Sequence, residues 1–175
     1  MTVDLVLGER YVDIAEEGFD LAIRLPDPGT NAGLVARRVT SFRMVVCCAP
    51  SYLRGRAAPA RPGDLSHHAC LVQGAAATRD TWTFRGPDGP EAVRVGAPFR
   101  TNDIEALRAA ALGRIGIVML PSFVVAGDLS SGALRPLLEP FTLPRVKVWA
   151  VYVDRRHLGA RPRAFLEWLV PALRD

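Results

Sequence analysis

The sequence predicts an α/β fold of two lobes, and three observations carry that prediction. Thr101 to Pro121 reads as a helix cap, a helix, a glycine stop and an apolar strand in unbroken succession, the repeating unit of an α/β sheet. Other short apolar runs bounded by turn residues read as further buried strands. Composition breaks near Ala49-Pro50 and near Pro144 to Lys147 divide the chain into an outer lobe, residues 1–48 with 147–175, and an inner lobe, residues 49–146. Two crossings between α/β lobes form a hinge, with a cleft between strand ends and helix N-termini.

In chain order, Val3, Leu5 and Leu7 alternate with polar or smaller neighbours and predict a strand that runs into a turn at Gly8. Val12 to Glu17 is long enough for a helical turn or two. Asp20 to Arg24 predicts a buried strand ending at Arg24, and the segment Pro26 to Gly33 reads as a loop. Leu34 to Val39 and Met44 to Ala49 predict two strands, the second closed by Pro50. Ser51 to Leu53 suits a short helix, and Gly55 to Pro62 a connector. The apolar Ala69 to Val72 precedes a hairpin in which Trp82 to Phe84 and Ala92 to Val95 flank the turn Gly86-Pro87-Asp88-Gly89.

The helix within Thr101 to Pro121 is predicted to start at an Asn102 cap, with Glu105 reaching back in a capping box. Ile104, Leu107 and Ala111 form its apolar stripe, Gly113 ends it, and Gly116 to Leu120 reads as a strand of a parallel sheet. Ser122 is predicted to cap a helix through about Leu129, stopped by Gly132, before a strand at Leu134 to Leu138. Val146 to Val153 predicts a long strand. Pro162 opens a last helix with Phe165, Leu166, Leu169, Val170 and Leu173 on one face, and Pro171 is expected to kink its end.

With 175 residues, 49% hydrophobic and 23% charged, the chain has the usage of a globular protein able to bury a core. No apolar run reaches membrane-spanning length and the N-terminus lacks a signal-peptide pattern, so a cytoplasmic location is expected. The net charge of +4 comes mostly from dispersed arginines, with only Arg37-Arg38, Arg155-Arg156, Arg161 and Arg163 near one another. No nucleic-acid-binding motif accompanies them, and direct DNA binding by this chain is not expected. Three cysteines, two adjacent at Cys47 and Cys48, suit core thiols rather than a disulfide framework.

The ordered motifs Val12-Asp13-Ile14 through Glu17-Gly18-Phe19-Asp20-Leu21-Ala22-Ile23-Arg24, Leu34-Val35-Ala36-Arg37-Arg38 and Cys48-Ala49-Pro50-Ser51-Tyr52-Leu53 form a series with four later segments. These are Asp64-Leu65 with His67-His68-Ala69-Cys70-Leu71, the Trp82 hairpin, Glu105 to Pro121, and Arg155-Arg156-His157-Leu158. In order and spacing the set resembles the effector-binding domain of LysR-type transcriptional regulators. The resemblance implies a type II periplasmic-binding-protein fold, with two α/β lobes and a small-molecule effector between them. It also implies that the winged helix-turn-helix, the linker helix and the first strand and helix of the outer lobe precede the segment seen here. DNA would then be reached only through that missing N-terminal part, and homo-oligomerisation would lack its usual dimer helix. A truncated or mis-started gene product, and a stand-alone binding protein of the same fold, are the alternatives.

For ligand contact, Arg24 at a strand's carboxyl end can grip a carboxylate bidentately or form a surface salt bridge, and the first possibility makes the expected effector anionic. Thr101 and Asn102 offer a hydroxyl, an amide and free helix N–H groups to an anion. Ala49, Pro50 and Ser51 lie at the expected first crossing, where Ser51 either caps a helix or touches effector. Met119, Pro121 and Ser122 are candidates by the strand-end rule, or core and cap residues otherwise. His67, His68 and Cys70 lack a fourth donor, so neither a metal nor a cofactor is expected. No catalytic constellation emerges, and a non-enzymatic sensor is the reading that follows.

Overall fold

The computed structural model describes residues 2–8, 10–25, 33–74, 80–87, 89–153 and 159–173. The expected loop at Pro26 to Gly33 (except Gly33), Asp88 of the hairpin turn and the Arg155-Arg156-His157-Leu158 motif lie outside the described residues. The strands are β1 (Ala22–Arg24), β2 (Leu34–Phe42), β3 (Met44–Cys48), β4 (Ala69–Gln73), β5 (Thr81–Gly86), β6 (Gly89–Arg94), β7 (Gly96–Thr101), β8 (Ile117–Pro121), β9 (Arg135–Pro136) and β10 (Val146–Val153). The helices are α1 (Ile104–Leu112), α2 (Ser122–Ser131) and α3 (Ala160–Ala172). Contacts divide the chain into a unit made of Met1–Phe42 with Val146–Asp175 and a second unit, Arg43–Arg145.

The first unit holds an antiparallel sheet in the order β1-β10-β2. Val39 of β2, Ala150 of β10 and Leu166 and Val170 of α3 form its buried cluster, with Leu21 and Tyr152 packed against it. Leu166 and Val170 are four apart, so both fall on the same helix face, and each such side chain contributes about 1.5–3 kcal/mol on full burial. β1 is an edge strand, and Ile23 is exposed rather than buried as the apolar run had suggested. Residues 2–8 form no strand, and Leu5 and Leu7 are 76% and 84% exposed. Alternation favours a strand only where a neighbouring edge and a face to bury are present.

The second unit is built on a mixed sheet in the order β7-β4-β8-β3-β9. β4 runs parallel to both β7 and β8, whereas β3 runs antiparallel to β8. Successive residues alternate between two cores. Val46, Cys48, Cys70, Val72 and Ile117 face one cluster, closed by Tyr52, Leu65, the β5–β6 hairpin residues Trp82, Phe84 and Val93, and Leu137 and Leu138. Cys47, Leu71, Val118 and Leu120 face the other, closed by Leu107, Ala110 and Ala111 of α1 and Val125 of α2. The sheet is thus buried on both faces, which explains its near-continuous apolar strands.

Several local expectations change. β3 had been assigned to the outer lobe; its pairing with β8 and β9 places it in the second unit, so the chain crosses between Phe42 and Arg43 rather than near Ala49. Asp103, not Asn102, caps α1: its carboxylate accepts the N–H groups of Glu105 and Ala106 at 2.8 and 3.1 Å, while Glu105 pairs with Arg108. A carboxylate satisfying two donors is the stronger cap. α2 begins at Ser122 with Pro121 in the cap position, and Gly132 ends it with φ +74°, the left-handed geometry that favours glycine. β7 was not anticipated, and the strand expected at Leu134 to Leu138 shrinks to β9.

Candidate functional site

The parallel direction of β4 and β8 puts the carboxyl ends of both at one end of the second unit's sheet. Antiparallel β3 contributes its first residue there, since Met44 pairs with Pro121 and Val46 with Met119. A recess of about 310 Å³ opens at this end. Its walls are Leu71, Val72 and Gln73 of β4, Met119 of β8, Met44 of β3, and Thr81 and Trp82 at the start of the hairpin. Such a crevice beyond the carboxyl ends of parallel strands is where open α/β sheets hold ligands.

Of the residues singled out from sequence, Met119 lines this recess. Pro121 follows in the same strand and is buried against Met44. Thr101 pairs with Gln73 across β7 and β4, and its carbonyl accepts the Gly74 N–H at 2.8 Å. The helix N-terminus proposed as an anion site, that of α1, is engaged. Thr101 Oγ1 accepts the Asp103 N–H at 3.1 Å, the Asp103 carboxylate takes the next donors, and Asn102 is exposed. The Ser122 N–H donates to the Arg43 carbonyl at 2.8 Å.

Ala49, Pro50 and Ser51 are not brought to the recess. They follow the opposite end of β3, five residues beyond Met44, or roughly 17 Å along an extended strand. Ala49 is buried in the helix-side core, and the carbonyl of Ser51 accepts the Arg54 N–H in a 3-10 turn. Arg24 belongs to the first unit, where its guanidinium donates to the Val12 carbonyl and lies 4.0 Å from the centre of the Tyr11 ring. His68 Nδ1 is 3.4 Å from the Tyr52 hydroxyl, which accepts the Ala69 N–H at 3.1 Å, a local network that gives these groups a structural role.

Gln73, Trp82, Thr81 and Met44 were not anticipated as site residues. The strand-end rule applied to Ala69–Val72 points to Gln73, but Met44 required knowing that β3 runs the other way. Trp82 was read only as part of the hairpin, and the structure buries it as well, at 3% exposed.

Two bidentate ion pairs brace the second unit, one beside the recess and one between the helices. Arg100 of β7, opposite Val72, grips the Asp80 carboxylate bidentately beside Thr81. Arg108 of α1 holds Asp128 of α2 at 2.6 and 2.8 Å. Hydrogen bonds from these arginines hold both carboxyls below their ordinary value of 3.8. Because the folded-state values lie below the unfolded ones, the stabilisation is present above about pH 4 and lost as pH falls through the folded values. Asp128→Asn is therefore expected to lower the urea midpoint at pH 7, with the gap to the parent chain narrowing below pH 4. A gap that stays constant down to pH 2.5 contradicts this.

Burial pushes the Cys47 and Cys70 thiols up to about 12 and that of Cys48 to about 11. At pH 8 the thiolate is scarce, so reaction with Ellman's reagent should be roughly a hundred- to thousand-fold slower than for a free thiol. Native chain should release almost no chromophore, and urea-unfolded chain three equivalents, one per cysteine. Rapid release of one equivalent from folded chain would refute the assignment of all three as core thiols.

A family model described as the LysR substrate binding domain matches residues 1–174. The regulator PtxR of Pseudomonas aeruginosa is 30% identical over 167 residues, covering 95% of this chain and 53% of that protein. DmlR of Escherichia coli is 33% identical over 165 residues, covering 92% of this chain and 52% of that protein. Both are described as HTH-type transcriptional regulators, and the chain spans about half the length of these relatives. The regulatory domain of CrgA from Neisseria meningitidis superposes with a TM-score of 0.81 at 30% identity, covering 95% of this chain and 81% of that one. Full-length AphB of Vibrio cholerae, at 19% identity, has a TM-score of 0.81 over 97% of this chain and 57% of that one, a likeness of fold.

Proposed function

Because the chain belongs to the LysR substrate-binding-domain family, we propose that it is the small-molecule effector-sensing module of a transcriptional regulator. The observation that carries this reading is the recess at the carboxyl ends of β4 and β8, walled by Met44, Gln73, Trp82 and Met119. The module itself catalyses nothing; its output is a change in conformational free energy when the effector binds. In a longer regulator the change would be read by a separate DNA-binding part, so sensing and DNA contact divide between two segments of one protein.

An anionic effector was expected from Arg24. That guanidinium is already engaged by the Val12 carbonyl and the Tyr11 ring, so a bound anion would have to share or displace those contacts. The recess is the better supported contact region.

Thermal denaturation of the chain against a panel of small carboxylic acids, amides and aromatic amines tests the reading. At a hundred times its Kd a ligand adds about 2.7 kcal/mol to the folded state, enough to move the transition by several degrees. At least one compound should raise the midpoint, and Met119→Glu, which puts a charge in the recess wall, should abolish the rise. The reading fails if no compound acts or if Met119→Glu leaves every shift intact.

A further inference from the structure

On the reading that the recess is the effector site, we propose that Asp80 and Arg100 are its positioning residues. Their ion pair holds the hairpin wall of the recess, Thr81 and Trp82, at a fixed distance from the sheet wall, Val72 and Gln73, and so sets ligand affinity. Neither residue is itself a wall. The need for such a device follows from the topology. β5 and β6 pair with each other as a two-stranded sheet, separate from the five-stranded sheet that carries the remaining walls. A two-stranded hairpin is marginal by itself and takes its place from what it packs on. Here Trp82, Phe84 and Val93 lie in one cluster with Val46, Cys70, Val72 and Ile117. Apolar burial is strong but non-directional, so it attaches the hairpin without fixing its distance from β4.

The ion pair supplies the direction. Arg100 stands opposite Val72 in the β7–β4 ladder, and Asp80 directly precedes Thr81, the first residue of β5. The pair therefore runs from the strand that flanks one wall to the residue that begins the other. Both carboxylate oxygens are engaged by the two terminal nitrogens of the guanidinium, a planar arrangement that constrains orientation as well as distance. The Asp80 carbonyl also accepts the Val95 N–H at 2.7 Å, which closes the base of the hairpin on the same residue. Near the hairpin turn, Arg85 and Thr142 exchange both backbone hydrogen bonds at 2.8 and 2.9 Å. Of these two pins, Asp80 is the one beside the recess walls. Asp80 is 6% exposed, and replacing a buried ion pair by apolar side chains of similar volume is often neutral for stability. Apolar replacements have no preferred mutual orientation, so stability and positioning are separable by substitution.

Spectra of the full chain with carbon-13-labelled methionine methyls test this, because the walls Met44 and Met119 lie on β3 and β8, strands that carry neither substituted residue. Three forms are compared at pH 7: the parent chain, Asp80→Leu combined with Arg100→Met, and Arg100→Lys, which keeps the charge but loses the planar two-point contact. Without added compound, both variants should shift the Met44 and Met119 methyl signals as the Trp82 ring moves, while the apolar double variant keeps the parent's urea midpoint. Benzamide and benzoate then serve as ring-sized probes, one neutral and one anionic. The concentration that half-saturates the methyl shift should rise about tenfold in both variants, the loss of a pre-organised wall. If the double variant's midpoint falls, Arg100→Lys decides by the same spectra. Ligand-free signals matching the parent's, or probe affinities within a factor of two of it, would show that the pair only braces the fold and does not position the wall. If the ligand-free signals shift but neither compound moves a methyl of the parent chain, the recess reading fails instead, and the pair's role in ligand affinity falls with it.

Discussion

Gly116→Ala is expected to destabilise the second unit by about 3 kcal/mol or more, although it adds a single methyl group. A Cβ built on Gly116 lies 2.4 Å from the carbonyl oxygen of Ala69 and 3.0 Å from its carbonyl carbon, with the Leu71 side chain at 3.2 Å. Non-bonded atoms do not approach that closely, and the obstacle is backbone, which has no rotamer to move to. Relief requires parting β4 from β8 at the point where Cys70 pairs with Ile117. Against a typical total of 5–15 kcal/mol, that loss is large. It should also weaken any ligand of the recess, whose floor is made by the same two strands. Gly127→Ala is the matched control. Gly127 sits inside α2 with nothing within 4 Å of the added carbon, so removing its helix penalty should stabilise by about 0.5–1 kcal/mol. Urea midpoints of the two variants should move in opposite directions. Equal midpoints would mean that the β4–β8 approach is looser than this geometry.

Leu107→Ala is expected to cost about 2–5 kcal/mol, the range for deleting a buried leucine from a packed core. Leu107 is fully buried in the cluster with Cys47, Leu71, Val118 and Leu120, and it is the largest buried side chain that α1 contributes to the sheet's core. The cost is set by how far α1 can settle into the space left. Its Arg108–Asp128 tie to α2 and its Asp103 cap restrain such settling, which favours the upper half of the range. Denaturation followed by Trp82 fluorescence, with Trp149 and Trp168 replaced by Phe, reports on this unit. A loss under about 1 kcal/mol would contradict the packing described.

Much of the local structure was legible. The β5–β6 hairpin follows from alternating Trp82 and Phe84 facing Val93, with Gly86 and Gly89 paired at the turn. β10 and the buried pair Leu166 and Val170 of α3 follow from periodicity alone, whereas Leu173, expected on the same face, lies past the helix end and is exposed. Other features were hidden for identifiable reasons. β7 contains Gly96 and Pro98, which argue against a strand, yet it is the edge of its sheet, where a missing N–H can be tolerated. Residues 2–8 show the reverse, a strand pattern without a strand. The α1 cap moved by one residue because two adjacent positions, Asn102 and Asp103, both suit it, and only the position of the first helical turn selects between them.

By itself the sequence determined most of the helices and strands, several of the glycine and proline stops between them, and, through the ordered motifs, the family to which the chain belongs. The tertiary structure decided which strand ends meet. A strand's alternation of faces reads the same in either direction, so nothing local told that β3 runs antiparallel to β8 while β4 runs parallel to it. That one difference brings Met44 rather than Ala49 to the recess, beside Gln73, Trp82 and Met119. Strand direction is settled by long-range pairing and by burial on both faces of the sheet, interactions between residues far apart in the chain that no short window contains.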